Sequence, residues 1–230
     1  MPRVGWFAGL ESAVRVSMLF YLFSVAALVH TFLLALSFAR PAGLAEWLLR
    51  LLLIGLIADN ATLALSGVGL GNTWYEFANV VRYGAHALFL PLLVLAGVAI
   101  AARAGCNWAK RPQAWAIALL LALTGVVYGL VTEVAGIEFI AVEFAGHERL
   151  VSADHSAPFA TIVSNFLLLV IGATIWQRAD WPWLFVATLV VFLINGVTAG
   201  KPWGIVAGNS AEIIFVLGWL VTLRRFPAAD

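Results

Sequence analysis

The chain has a single cysteine, Cys106, so neither a disulfide framework nor a cysteine-based metal site can form. Charge is equally scarce. Only 11% of the residues are charged, against about 25% in a soluble domain. The 13 basic and 12 acidic residues nearly cancel, so no cationic field exists to hold a polyanion. These shortages exclude an ordinary soluble enzyme, a disordered chain and a nucleic-acid binder. What the sequence has in excess is apolar surface, with 63% hydrophobic residues and a mean hydropathy of +0.99. That composition describes a polytopic protein of the lipid bilayer.

A helix crossing the hydrocarbon core needs about 20 mostly apolar residues, and seven runs qualify, at roughly 14–37, 44–67, 74–102, 112–134, 157–177, 181–199 and 205–225. The expected fold is all-α. It is a single seven-helix transmembrane domain over residues 1–230, with an outer loop at about 135–156. No cleavable signal peptide is expected, because the first apolar run is as long as a spanning helix.

Basic residues near the span ends set the orientation. Arg40, Arg50, Arg103, Lys110, Arg111, Arg178, Arg224 and Arg225 fall on one side, and Arg3, Arg15, Arg149 and Lys201 on the other. The richer side is expected to be cytoplasmic. The N-terminus is then outside and the C-terminus inside, in a bacterial or archaeal-type inner membrane. Glu11, Glu138, Glu143, Glu148 and Asp154 join the outer side. All the tryptophans except Trp219 lie near span ends, as in the aromatic belts of membrane interfaces.

Polar groups inside a membrane are costly, so each one is a candidate for function. The second span holds Asp59 and Asn60, and the third Glu76, Arg82 and His86. The fourth ends with Tyr128 and Glu133, the fifth brings Ser164 and Asn165, and the sixth Asn195. The seventh opens with Asn209, Ser210 and Glu212. At about 1.5 Å rise per residue these groups lie within roughly 5–18 Å of the outer boundary. The inner half is apolar, with His30 and Thr31 as the main exception.

One polar pocket in the outer half is the economical expectation. Asp59, Glu212, His86 and Arg82 are the expected catalytic residues, and Asn60, Tyr128, Asn165, Asn195 and Asn209 the expected substrate-binding ones. Asn165, Asn195 and Ser164 also fit simple interhelical hydrogen bonds. Glu76 and Glu133 are read as solvated helix ends.

The loop Ala135–Ala157 mixes apolar and acidic residues, and fits a short hairpin or an interfacial helix capping the pocket. It reads best as a solvated outer loop. Its Glu143, His147, Asp154 and His155 match no established metal spacing, so no metal is expected. No cofactor is expected either, although His30 and His86 are the two in-span histidines that a haem iron would need.

The third span reads Val81-Arg82-Tyr83-Gly84-Ala85-His86 and continues to Pro91-Leu92-Leu93. It resembles the third helix of microbial rhodopsins, where Arg-Tyr precedes the counterion acid. Asn209-Ser210-Ala211-Glu212 is similar to that family's Ser-Ala-Lys, and Thr198-Ala199-Gly200 resembles the loop after its sixth helix. The resemblance implies the seven-helix rhodopsin fold. The departures fall on the functional positions: Ala85 and Gly208 replace the two counterion acids, and Glu212 replaces the retinal lysine. No lysine lies in any span, so no Schiff base can form. A likeness of layout alone links the chain to small seven-helix terpene cyclases of the membrane. Those use one acid on the second helix and one on the last, where Asp59 and Glu212 stand.

The function expected from these residues is acid–base catalysis on a lipophilic substrate, an isoprenoid or a lipid, as in a terpene cyclase or isomerase. A carboxyl group in an apolar site can keep its proton at neutral pH, protonate an alkene, epoxide or carbonyl, and leave a histidine to take a proton back. The alternatives are an opsin-like protein that binds or senses a ligand without a covalent bond, and a structural subunit of a larger membrane complex. A proton-coupled transporter fits less well, because the inner half lacks polar stations. The expected partners are membrane lipid and a lipophilic small molecule, not nucleic acid. An oligomer or larger assembly remains open.

Overall fold

The computed structural model describes residues 5–39, 41–154 and 158–228, with side chains from residue 18 onward. Arg3, Arg40 and His155 lie outside the described residues, as do the side chains of Trp6, Glu11 and Arg15. The chain forms α1 (Gly5–Ser37), α2 (Leu44–Ala64), a single turn α3 (Ser66–Gly69) and α4 (Thr73–Arg103). Next come α5 (Pro112–Gly129), the strands β1 (Phe139–Phe144) and β2 (His147–Ser152), α6 (Phe159–Ala179), α7 (Trp183–Thr198) and α8 (Gly204–Arg225). Among the described residues six helices are long and apolar enough to cross a membrane: α1 (over Met18–Ser37), α2, α4, α5 with its extension to Val134, α6 and α8. The apolar α7 is shorter, at 16 residues.

Neighbouring helices pack in the order α1, α2, α4, α6, α7, α8, and α8 closes back on α1 and α2. Helix α5 lies outside this ring, against α4 and α6. Its composition explains that position. Its buried residues Ala118, Ala122, Val126 and Gly129 form one narrow stripe, while Ile117, Leu120, Leu123 and Val127 are exposed. Small residues inward and leucines outward is the pattern of a helix bathed in lipid, where close backbone approach holds helices together. Pro91 in α4 faces Gly125, and Ala87 faces Gly129.

The same logic seats α7. A side chain at Gly218 of α8 would collide with Ala187 and crowd the Trp183 carbonyl, and one at Gly172 of α6 would meet the Phe185 backbone. Two glycines on flanking helices therefore cradle the shortest helix.

The long loop is a hairpin, the first of its two expected forms, and adds a two-stranded sheet to an otherwise helical fold. Ala145 and Gly146 turn it with φ of 52° and 74°, both positive as a two-residue type I′ turn needs. Reading it as simply solvated needs correction, because its second strand is anchored in the bundle. His147 is 2% exposed. Its Nε2 lies 3.0 Å from the Leu63 carbonyl and 2.8 Å from Ser66 Oγ. A carbonyl can only accept, so Nε2 carries the proton, and the ring caps an end of α2 that would otherwise lack a donor. The Ser152 amide donates to the Tyr83 hydroxyl of α4 at 3.0 Å.

Burial holds the His147 imidazole below its usual 6.5, so its neutral form favours folding. That contribution is complete above pH 6.5 and is lost as pH falls toward the depressed folded value. The unfolding temperature of the wild type is expected to drop by about 2–4 °C more than that of His147→Gln between pH 7.5 and 5. Parallel thermal melts of the two proteins in detergent check this. Gly218→Val is expected to cost about 1–3 kcal/mol by overpacking. Gly84→Ala, where the added methyl meets open space, is expected to be neutral or to stabilise by up to about 1 kcal/mol. Denaturant titration of both variants tests the contrast.

Candidate functional site

Three helices bring their polar residues to one level near the hairpin end. From α2 come Asp59 and Asn60, from α4 Asn79, Arg82 and His86, and from α8 Asn209 and Glu212. Arg82 Nε meets Asp59 Oδ1 at 2.7 Å. Asn209 Nδ2 donates to Asp59 Oδ2 at 2.8 Å and to Asn60 Oδ1 at 3.1 Å. Arg82 also donates to Asn79 Oδ1 at 2.8 Å. The chain of bonds ends on the backbone at both sides, with Asn79 donating to the Tyr75 carbonyl and Asn60 to the Leu56 carbonyl. Asn79 and Asn60 each turn the oxygen toward a donor and the nitrogen toward an acceptor. Asp59 and Arg82 are 3% and 7% exposed, and a charge pair can be buried this deeply only when hydrogen bonds occupy its remaining atoms.

Next to this saturated network lies an unsaturated one. His86 Nε2 stands 3.6 Å from Glu212 Oε1, too far for a direct hydrogen bond, while His86 Nδ1 reaches the Arg82 carbonyl at 3.1 Å. That carbonyl accepts, so Nδ1 carries a proton. Glu212 Oε2 is buried with no hydrogen-bond partner. The side chains of His86 and Glu212 nevertheless retain 30% and 17% exposure. Asp59 and Arg82 are thus locked and closed, whereas His86 and Glu212 are loosely held and part-exposed, with Glu212 Oε2 itself on the buried side.

A third acid joins them. The chain beyond α5 winds into a π-turn, Leu130–Val134, that packs on α4. It turns Glu133 inward, so Oε1 is buried without a partner, within electrostatic reach of His86. Glu133 is therefore not the solvated helix end expected for it. Single π-turns inside α-helices often mark functional positions. From the hairpin, Arg149 extends toward Tyr75, Tyr83, Arg82 and Asp59, and its Nε is buried without a partner. Burial first, and the nearby Arg82 second, hold Arg149 below the usual arginine value.

The remaining expected residues divide. Asn60 and Asn209 lie inside the network. Tyr128 is 41% exposed on the outer face of α5, and Asn195 is exposed beside Gly208 at the seam of α7 and α8. Asn165 and Ser164 are buried on α6. Ser164 bonds its own helix at the Ala160 carbonyl, and no hydrogen bond ties Asn165 to the network. Glu76 is exposed, as expected. His30 is fully buried in α1, and neither ring nitrogen makes a well-formed hydrogen bond, although the Ala26 carbonyl is within reach. No group of three or more metal-ligating side chains occurs among the described residues.

Asn79 could have been found from the sequence, three residues before Arg82 on the same helical face. Glu133 and Arg149 carried no such signal. One depends on a π-turn and the other on a strand folding back. Compared with known proteins, the chain matches no family model and no curated protein, so its own geometry carries the functional reading.

Removing one partner of the buried pair strands the other. Asp59→Ala is expected to lose about 3–5 kcal/mol, because Arg82 stays charged and buried. Glu212→Gln is expected to cost about 1 kcal/mol or less, since no saturated hydrogen bond is lost. Equal losses in urea or thermal unfolding would contradict the division of the site into a locked and a loose half.

Proposed function

We propose that the chain crosses the membrane seven times, with α7 as the sixth crossing, and is an enzyme performing acid–base chemistry on a lipophilic substrate. At about 1.5 Å per residue α7 spans roughly 24 Å, shorter than a hydrocarbon core of about 30 Å, and the preceding Trp181-Pro182 lengthens its apolar stretch. The orientation follows the arginine excess, with the hairpin outside.

One observation carries the catalytic reading. Two carboxylates share a site, and only one of them is saturated. Asp59, held by Arg82 and Asn209 on both oxygens, is a fixed negative charge. Glu212, with a free Oε2, is the group that can carry a proton to a substrate. Environments that separate two acids in this way assign their roles.

The proposed cycle moves one proton. Glu212 Oε2–H protonates an alkene, epoxide or carbonyl carbon skeleton, leaving Glu212 as carboxylate beside a cationic substrate. The carboxylate just formed on Glu212 offsets that positive charge without becoming bonded to it, while the Asp59–Arg82 pair keeps its place. His86, unprotonated on Nε2, takes a proton from the product-forming carbon and returns it to the Glu212 carboxylate, whose Oε1 lies 3.6 Å away, through one bridging water, and rotation of the carboxyl presents it again. No net proton, oxidant or co-substrate is consumed, which fits an isomerase or cyclase. The helices that carry these residues are apolar enough to cross a membrane, which suits a substrate such as an isoprenoid or lipid.

A second reading keeps the same site for a bound, unreacted ligand in an opsin-like bundle. It is supported by the resemblance of Asn209-Ser210-Ala211-Glu212 to that family's Ser-Ala-Lys. Glu212→Gln is expected to abolish turnover of an isoprenoid while the protein stays folded, read by mass spectrometry of products from the purified protein. If wild type and variant instead extract with the same unaltered apolar molecule bound, the binding reading replaces the enzymatic one. Should neither product nor bound molecule be found, the role of a structural subunit takes its place.

A further inference from the structure

The hairpin brings one cation into the site that the proposed chemistry does not use. Arg149 stands opposite Val142 in the ladder, two residues after His147. Alternate residues of a strand share a face, so the anchored His147 aims Arg149 toward the bundle as well. The bond from the Ser152 amide to the Tyr83 hydroxyl, at 3.0 Å, fixes the far end of the strand on α4.

At that place the guanidinium finds no partner. Its Nε is buried without a hydrogen bond, and among the described residues no carboxylate forms an ion pair with it. Asp59 is in electrostatic reach, but Arg82 holds one of its oxygens and Asn209 the other. Two guanidinium groups therefore face one carboxylate that is already saturated. A second orphan lies beside them. Tyr75 is 0% exposed, and its hydroxyl is buried without a well-formed hydrogen bond. Asn79 and Ser66 stand near that hydroxyl. Asn79 is committed to Arg82 and the Tyr75 carbonyl, and Ser66 to His147. Tyr83, whose oxygen accepts from Ser152, keeps its own proton to donate. Arg149 is part-exposed, so this place is open from the hairpin end.

Buried donors without acceptors are rare, because each costs free energy. Here three donor side chains and an excess of positive charge meet, and no acceptor answers them. We propose that Arg149, Tyr75 and Tyr83 hold the anionic head group, a carboxylate or a phosphate, of the molecule whose apolar body the neighbouring site takes up. The proposal rests on the acid–base reading only for the fate of that apolar body. A guanidinium suits the head group, since its fork pairs two oxygens of a carboxylate or phosphate at once. Along α4, Tyr83 precedes His86 by three residues and Tyr75 precedes it by eleven. At about 1.5 Å per residue, the head lies roughly 5–16 Å from His86 toward the hairpin end. The substrate class narrows from any lipophile to an anionic amphiphile.

The test uses the purified full chain in a non-ionic detergent, with farnesyl phosphate, farnesol and inorganic phosphate as probes. Affinity is read from the rise in unfolding temperature across a concentration series of each probe. Farnesyl phosphate is expected to bind about tenfold more tightly than farnesol, the weight of one charge-assisted contact. Arg149→Gln is expected to abolish that preference, and Arg149→Lys to keep part of it. Tyr75→Phe is expected to weaken farnesyl phosphate by about threefold and to leave farnesol unchanged. Glu212→Gln is expected to keep the preference, so a failed acid–base reading would show as absent turnover with head-group recognition intact. Equal affinity for the two farnesyl probes overturns the proposal, as does a preference that survives Arg149→Gln. Unchanged affinity in Tyr75→Phe overturns it too, whether or not Arg149→Gln folds. Inorganic phosphate that stabilises as strongly as farnesyl phosphate would show a bare anion site and overturn the head-group assignment.

Discussion

Arg82 and Asp59 sit 2.7 Å apart and almost out of reach of solvent. Removing two charges from water costs several kcal/mol per ion even after relaxation, and only close geometry with further hydrogen bonds recovers it. Here those bonds come from Asn79 on α4 and from Asn209 on α8, which is tied in turn to Asn60 on α2. The network is satisfied only if α2, α4 and α8 hold one rotation and one depth relative to each other. A shift of one residue on any of them would leave a charge or an amide unpaired. In lipid, where helices gain little by hiding leucine from leucine, such a network supplies the register that a hydrophobic core supplies in water.

The loose half of the site depends on that rigidity. Arg82 lends its backbone carbonyl to His86 Nδ1 and its guanidinium to Asp59. One residue therefore fixes the histidine's tautomer and holds the charge beside it. The second carboxylate, Glu212, is left with an unpartnered oxygen in the field of Asp59. Glu133 adds a further unpartnered acid oxygen from the π-turn. Buried polar atoms are normally paired, so two orphaned acid oxygens around one histidine set this place apart from the saturated network a turn away.

The helices were legible because each is a long apolar run, and their observed ends fall within a few residues of the expected ones, except that α1 begins at Gly5, well before the expected start near residue 14. The meeting of Asp59, Asn60, Arg82, Asn209 and Glu212 was legible because alternate helix directions fix the depth of each residue. Helix facing was not legible. A helix apolar all round carries no stripe that says which side is inward. That is why Tyr128 and Asn195, at the right depth, turn out exposed, and why Glu133 was assigned to water. Arg149 and His147 were hidden for another reason. Their roles arise when a hairpin folds back over the bundle, and a loop's destination is not written in its composition.

The two ends of the bundle remain chemically separate. Between the charge network and the arginine-rich end lies a layer of buried apolar side chains. Leu49, Leu52, Leu53 and Leu56 of α2, Leu93 and Val94 of α4, and Phe215 and Trp219 of α8 belong to it. A coupled transporter needs polar stations across the whole bilayer, usually at breaks in its helices. Among the described residues α2 and α8 run unbroken through this layer. In the proposed chemistry a proton released near Glu212 has His86, Glu133 or the solvent at the hairpin end to go to, while among the described residues of this layer only His30, in electrostatic reach of Asp59, offers an unpartnered buried group that can take up a proton. That confinement favours chemistry that returns its proton to the same site over chemistry that moves it across the membrane.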